Sequence, residues 1–425
     1  MTGQKWATQL SILSLAGQAL AYVLGIVLAR RLGVEGFESY VVAAAAFILM
    51  VTLVPQGLEK YSLKLLPGLL ERGQDDRVHG FLRFARRRLL LGSAVVGVVV
   101  AVGAWNADGL SHQTRIAIVI SCLSLPAGAL VHLALEVLTA FGRAFVATLV
   151  FRLLVPGTVL ALVGIAIVLL PELRASVAIG AWGLAWCVAL GLMVVQIRRA
   201  APAGMRHTPP VEEARRWGVE ARPFWIYRVS LAVLMQAGIV ALEVLQSSPT
   251  AIGGFAAALG TAAIAQVLAT ATNRVYASRL SLLLERRDIA GIQRLRGERL
   301  RWLAAPLLVY LLVMFVFAPE LVGLFRPEFV ADGAPALRIL AVSTALSTVL
   351  AMAPTYLKHQ RENRVLFRTV AAAAILQVGL LMALVPVLGA TGAAIAHALA
   401  AAVMYGTLAW LAHRGLARLQ SSSGR

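Results

Sequence analysis

Long stretches without a charged residue divide this sequence, and they restrict its fold more than any other feature. A helix needs about 20 apolar residues to cross about 30 Å of hydrocarbon, because each residue rises only about 1.5 Å. Ten stretches have the length of one crossing, one of them interrupted by Arg228. They are residues 6–29, 39–58, 89–107, 116–135, 153–171, 175–197, 223–242, 250–273, 302–319 and 339–357.

One further stretch, residues 369–413, is 45 residues long and therefore too long for one crossing. Pro386 and Gly389 mark a turn inside it, which gives two spans and a total of twelve. The first stretch contains a small-residue pattern at Ala19–Ala21 but continues as far as Arg30. We therefore expect it to be a full span rather than a cleaved signal peptide.

The composition excludes a soluble globular protein. Hydrophobic residues make up 60% of the 425 positions and charged residues 14%, with a mean hydropathy of +0.81, whereas soluble domains carry about 25% charged residues. The net charge of +19 is compatible with nucleic-acid binding, but such an apolar chain has too little water-exposed surface to bind along a duplex. Both cysteines lie in apolar stretches, and no metal, P-loop or nucleophile motif is present. We expect no cofactor, no metal site, no catalytic residue and no nucleic acid partner.

The distribution of charge predicts the orientation in the membrane. Twelve spans place both termini on one side, and 33 of the 39 Lys and Arg residues then share that side with 12 of the 20 acidic residues. Loops rich in Lys and Arg stay in the cytoplasm. The sequence therefore predicts that both termini are cytoplasmic.

A sequence repeat divides the chain into halves. Leu69–Arg72 recurs as Leu283–Arg286, an offset of 214 residues, and both copies lie between the second and third spans of their half. We predict an all-α integral membrane protein with an N-terminal six-helix lobe (1–200), a cytoplasmic linker (201–222) and a C-terminal six-helix lobe (223–425). Transporters commonly have such parallel halves and handle substrate between them.

The two segments that contain the repeat, residues 68–88 and 281–301, mix apolar and basic residues. We interpret them as lying partly along the membrane surface, where they would anchor to anionic lipid. A gate that binds anionic head groups is the alternative interpretation.

Ionisable residues in or near the spans are the candidate functional residues, because burying them in lipid is costly. Cations outnumber acids among them, and this favours an anionic substrate, since Arg and Lys suit phosphate oxygens. Lys60 and Arg274 occupy matching positions of the repeat at the 214 offset. The predicted substrate-binding residues are Arg30, Lys60, Lys64, Arg152, Arg228 and Arg274.

Structural roles compete with this interpretation. Arg30 precedes Gly33 and would serve equally well as a helix-end residue, and Arg152 and Arg228 have the length to snorkel to the interface. Glu59 and Lys60 are adjacent and so point in different directions from a helix. His132 and Glu136, four residues apart, share a helix face and would either relay a proton or simply hydrogen-bond.

Motifs in both halves are similar to those of a known family. They are Gly17–Gly25, Ala29–Gly33 and Glu35–Phe37, then Ile252–Leu259, Ala318–Leu321, Pro327–Phe329 and Ala334–Leu340. They resemble the polysaccharide flippases of the multidrug/oligosaccharidyl-lipid/polysaccharide exporter superfamily. The similarity covers nearly the whole chain. It departs at Arg326 and at Lys358–Gln360, where the family usually has glycine.

The resemblance implies a MATE-like fold in a bacterial cytoplasmic membrane and export of an undecaprenyl-diphosphate-linked oligosaccharide, for O-antigen, capsule or exopolysaccharide. Membrane lipids, a polysaccharide polymerase and glycosyltransferases are the partners it implies. Two alternatives stay open. One is a cation-coupled multidrug antiporter of the same superfamily, and the other is a non-transporting scaffold of a polysaccharide assembly complex.

Overall fold

The computed structural model describes residues 2–206, 208–245, 247–286, 288–360 and 362–423, without the side chains of residues 2–11, 203, 206, 271, 274, 275, 278 and 418–423. All regular structure in this part of the chain is helical, as predicted. The chain divides into two compact units, residues 1–236 and 237–425.

The N-terminal unit contains seven helices and most of an eighth, within the ranges described. They are α1 (Thr2–Leu53), α2 (Leu58–Glu71), α3 (Asp75–Trp105), α4 (His112–Ala140), α5 (Ala144–Leu149), α6 (Val155–Leu169), α7 (Ala175–Ala200) and α8 (Ala214–Val244). A single π-helical segment, Val150–Leu154, joins α5 to α6.

Helix α4 is the centre of this unit. The Ser111 hydroxyl accepts a hydrogen bond from the Thr114 amide at 3.1 Å and so caps the first turn. Helices α1, α2, α3 and α7 all pack against α4. Leu125, Ala129 and Val131 are completely buried between them. The residues that follow on α4 are therefore held in a well-packed core.

The C-terminal unit repeats this plan around α13. Its helices are the end of α8, then α9 (Pro249–Ala262), α10 (Gln266–Glu285), α11 (Ile289–Val316), α12 (Ala318–Gly323), α13 (Val330–Leu350), α14 (Met352–His359) and α15 (Asn363–Ser423). Helix α13 packs against α9, α11 and α15. It approaches α9 where Gly333 faces Gly254, and a Cβ on Gly333 would lie 2.8 Å from the Gly254 carbonyl oxygen.

Two helices are long enough for two crossings each. Ten helices of the described chain have the length and apolar character to span a membrane. Helix α1 has 52 residues with a kink at Gly33 (φ 76°), and α15 has 61 residues with a kink at Gly389 (φ 52°). Both kinks use positive φ, which glycine adopts readily. Counting each twice gives the predicted twelve spans, and the predicted break at Gly389 is confirmed.

The sequence repeat is also a repeat of structure. Helix α2 ends at Glu71 and α3 begins at Asp75, while α10 ends at Glu285 and α11 begins at Ile289. Both boundaries are shifted by 214 residues, the offset of the Leu-Leu-Glu-Arg repeat. The basic segments 68–88 and 281–301 are therefore each a helix end, a turn and the start of a long helix.

The boundary between the compact units falls inside α8, since residues 214–236 pack with the N-terminal unit. Trp217 packs against Phe81 with ring centroids 5.4 Å apart, and Trp225 Nε1 donates to the Leu53 carbonyl at 3.0 Å. The division into lobes at residues 201–222 stays a prediction.

Candidate functional site in the N-terminal unit

A helix break places a buried carboxylate, Glu59, next to a partly exposed lysine, Lys60. Helix α1 ends at Leu53, and the chain turns through Gln56 (φ 50°) and Gly57 (φ 81°) before α2 begins. Glu59 and Lys60 therefore lie in the first turn of α2. Adjacent residues on a helix point about 100° apart, and here they face different helices.

Each of these two residues forms an ion pair with a distant helix. Lys60 Nζ donates to Glu136 Oε1 on α4. Arg228 Nε on α8 lies 3.6 Å from Oε1 of Glu59, whose side chain is only 2% exposed. The start of α2 is thus tied to α4 on one side and to α8 on the other.

Arg152 and His132 complete this group. Arg152 lies in the π-helical segment, with its guanidinium carbon 5.7 Å from the centroid of the Phe151 ring. His132 lies one turn before Glu136 on α4 and interacts electrostatically with Lys60, Arg152 and Arg228. We call Glu59, Lys60, His132, Glu136, Arg152 and Arg228 the N-unit cluster.

Aromatic side chains form one wall of the N-unit cluster. The His132 ring is 5.1 Å from the Phe151 ring and 5.8 Å from the Trp186 ring. Trp182 and Phe47 extend this wall, with 4.8 Å between their centroids. Such rings exclude water and strengthen the electrostatic interactions beside them.

The predicted site residues therefore fall into separate places. The structure places Lys60, Arg152 and Arg228 around His132. Lys64 lies one turn further along α2, 3.8 Å from Glu220. Arg30 is exposed near the kink of α1, and the side chain of Arg274 is outside the described part of the structure.

Sequence reasoning named Glu59 and Glu136 but missed their pairing with Arg228 and Lys60. Glu136 accepts a hydrogen bond from Lys60, whereas the His132 ring packs edge-on against Phe151. The spacing of His132 and Glu136 indicated only that they share a face of α4. Nothing in the sequence signals that Lys60, 76 residues earlier, reaches the same face.

The N-unit cluster carries an excess of positive charge. It contains three cations against two carboxylates, and both carboxylates are engaged in the ion pairs described above. The described residues hold no group of three His, Cys, Asp or Glu side chains suited to a metal ion. The arrangement favours electrostatic binding of an anionic group, with Arg152 presenting a planar set of donors.

No family model matches the sequence, and no curated protein matches it. Several solved structures, however, match the chain. An inward-facing multidrug resistance MATE family transporter of the MOP superfamily superposes with a TM-score of 0.76 at 16% identity, covering 97% of this chain and 99% of the other. The chain has the MATE transporter fold. This is the fold that the resemblance of the sequence motifs implied.

Two further MATE-fold structures are similar. An outward-facing multidrug resistance MATE transporter gives a TM-score of 0.63 at 15% identity, covering 98% of this chain and 96% of the other. A MOP superfamily transporter from Pyrococcus furiosus, described as having a binding pocket of reversed polarity, gives 0.62 at 16% identity with 97% and 96% coverage.

Close packing between α1 and the π-helical segment positions Arg152 in this MATE fold. A Cβ on Gly17 would lie 2.2 Å from the Arg152 carbonyl oxygen. We expect Gly17→Ala to lower the free energy of unfolding by about 2 kcal/mol, because overpacking forces the backbones apart. Thermal unfolding of the protein in detergent measures this change.

Gly164→Ala on α6 is the matched control, because a Cβ there meets nothing within 4 Å. We expect this variant to be as stable as the native protein or slightly more stable, since alanine favours helix. Equal stability of the two variants would show that α1 does not depend on a glycine at position 17.

Proposed function

We propose that this protein is a flippase that moves an undecaprenyl-diphosphate-linked oligosaccharide from the inner to the outer leaflet of a bacterial cytoplasmic membrane. The diphosphate would bind at the N-unit cluster, where Arg152, Lys60 and Arg228 supply positive charge. The lipid tail would stay in the bilayer while the sugars cross through a water-filled cavity.

The observation that carries this proposal is the net positive charge of the N-unit cluster. A site for a cationic drug needs an excess of carboxylates, but here the cations outnumber them. Guanidinium groups bind phosphate oxygens through paired hydrogen bonds. The MATE-fold structure described as having reversed pocket polarity gives a precedent for such a departure within this fold.

Alternating access is the transport mechanism that we propose. The MATE fold has been solved in inward-facing and outward-facing conformations, and this chain resembles both. The predicted cytoplasmic location of both termini places the basic loops on the side where lipid-linked sugars are assembled. A glycosyltransferase or polymerase partner remains part of the proposal.

Transport by proteoliposomes tests the proposal. The probe is a fluorescent undecaprenyl-diphosphate-linked oligosaccharide, and the variants are Arg152→Gln and the paired replacement Lys60→Gln/Glu136→Gln. The paired replacement removes a cation without leaving an unpaired carboxylate. We expect each to slow translocation at least about tenfold, since charge-assisted hydrogen bonds contribute about 1.5–3 kcal/mol.

A matched control replaces an ion pair outside the N-unit cluster. Arg83 and Glu212 lie 3.7 Å apart, and Arg83→Gln/Glu212→Gln makes the same change of charge. We expect it to transport at the native rate. Native rates in the cluster variants as well would refute the assigned site, and no transport by the native protein would refute the flippase.

One observation favours the antiporter alternative. Glu59 is buried, and within the described structure its Oε2 atom has no hydrogen-bond partner, as expected of a carboxyl that takes up a proton or a cation. The same vesicles, given a cationic dye and an imposed H⁺ or Na⁺ gradient, separate the two functions. Gradient-driven movement of dye without movement of the oligosaccharide would favour the antiporter, and movement of neither would favour the scaffold.

A further inference from the structure

Three arginines converge on a pocket between α3 and α8 that the proposed function does not use. Two adjoining cavities of about 430 and 320 Å³ share Arg88, Gly218 and Arg222 in their walls. The larger is also lined by Gln56 and Trp225, and the smaller by Arg215. We call this the α3/α8 pocket.

The arginines of this pocket differ from their neighbours in lacking carboxylate partners. Around α8, Arg77 lies 3.3 Å from Glu213, Arg83 lies 3.7 Å from Glu212, and Arg216 contacts both Glu213 and Glu220. Among the residues that the structure describes, Arg88, Arg215 and Arg222 have no carboxylate within 4.0 Å. The pocket therefore concentrates uncompensated positive charge.

The pocket is also held in shape by its own contacts. Arg88 Nε donates to Gln56 Oε1 at 2.7 Å, and its guanidinium carbon lies 5.6 Å from the centroid of the Phe84 ring. The hydrogen bond from Trp225 to Leu53 fixes the opposite wall. A Cβ on Gly218 would come within 3.2 Å of Arg88 Nη1, so the absence of a side chain there leaves the guanidinium accessible.

Both helices change from basic to apolar sequence at the level of this pocket. On α3 the arginines end at Arg88, and the next residues include Leu91 and Val95, which are 59% and 64% exposed. On α8, Arg222 precedes the apolar stretch 223–242, which Arg228 interrupts, and Ile226 in that stretch is 48% exposed. Exposed apolar residues of a spanning helix face lipid, so the pocket lies at head-group depth.

We propose that the α3/α8 pocket binds the phosphate of an anionic phospholipid head group. Arg88 and Arg222 contact the phosphate oxygens, Arg215 adds charge at the rim, and the acyl chains lie along the exposed leucine and valine residues of α3. Basic pockets between spanning helices are suited to such head groups. This inference is independent of the transported substrate, because none of these residues belongs to the N-unit cluster.

Lipid titration of the purified full-length protein tests the inference. The probe is phosphatidylglycerol added to protein in neutral detergent, with phosphatidylcholine for comparison, and bound lipid is counted by native mass spectrometry. We expect saturable binding of phosphatidylglycerol alone, and about tenfold weaker binding in Arg88→Gln/Arg222→Gln. Equal binding of both lipids by the native protein would overturn the assignment.

Two further variants keep the test specific. Arg86→Gln/Arg199→Gln removes the same charge from exposed positions outside the pocket, and we expect less than a twofold change. Gly218→Leu keeps every charge but fills the pocket, and we expect the same loss as in the arginine variant. An equal loss in the Arg86/Arg199 variant would show a general charge effect and refute the pocket. Displacement of the lipid by equimolar inorganic phosphate would assign the pocket to free phosphate instead.

Discussion

Replacing Arg299 by alanine is expected to lower the free energy of unfolding by about 3 kcal/mol, because this arginine is buried and donates hydrogen bonds to two backbone carbonyls at the end of a helix. Its side chain is 2% exposed, and its terminal nitrogens donate to Val349 O at 2.9 Å and Thr348 O at 2.8 Å. These carbonyls belong to the last turn of α13, where a helix leaves its final carbonyls free. Unfolding in detergent measures the loss.

Two companion variants show whether the geometry of Arg299 matters. Arg299→Lys keeps the charge but lacks the planar fork that reaches two carbonyls, so we expect an intermediate loss. Arg301→Ala changes an exposed arginine of the same helix and should shift stability by less than about 0.5 kcal/mol. A native unfolding temperature for Arg299→Ala would show that water satisfies the end of α13.

The second large effect is expected at the Glu59 and Arg228 pair. Removing one partner leaves the other charge without compensation in a buried position, and we expect Arg228→Gln to cost about 3 kcal/mol. The double variant Glu59→Gln/Arg228→Gln removes both charges and should recover to within about 1 kcal/mol of the native protein. A double-mutant cycle of unfolding free energies in detergent measures this coupling.

An exposed ion pair provides the comparison for this cycle. Arg279 and Glu298 lie 3.4 Å apart with side chains more than half exposed, and pairs of this kind couple by less than about 1 kcal/mol. If the Glu59 and Arg228 replacements were additive within about 0.5 kcal/mol, the pair would not stabilise the unit. Transport by the stable double variant then separates a structural role from a functional one.

The spans were predictable because a backbone segment in lipid must satisfy its own hydrogen bonds and therefore forms a helix. The length of a charge-free stretch is then enough to locate each spanning helix. The positions of the breaks followed from glycine, as at Gly33 and Gly389. The repeat was visible as four residues, and the structure shows why those four recur, since they end a helix in both halves.

The candidate site was only partly predictable. Charge at the ends of spans indicated Lys60, Arg152 and Arg228, which the structure places around His132, but it indicated Lys64 and Arg30 equally, and these lie elsewhere. The sequence does not distinguish a cation that faces a carboxylate from one that faces solvent. Lys60 and Glu136 meet only because α2 and α4 pack together.

The basic segment of α11 illustrates the same limit. Arg294, Arg296, Arg299 and Arg301 are alike in the sequence, yet only Arg299 is buried. Its position is decided by the end of α13, some 50 residues further along the chain. A local pattern contains no information on that contact.

The sequence by itself determined that the protein spans a membrane, the number of spans, the repeat and the basic character of segments 68–88 and 281–301. These properties depend on the hydrophobicity and charge of each residue, because the solvation free energy of a side chain is set mainly by that side chain itself. Only the tertiary structure decided which cations are paired with carboxylates and which are buried. Those outcomes depend on distances between helices that are far apart in sequence, and electrostatic energies change steeply with such distances.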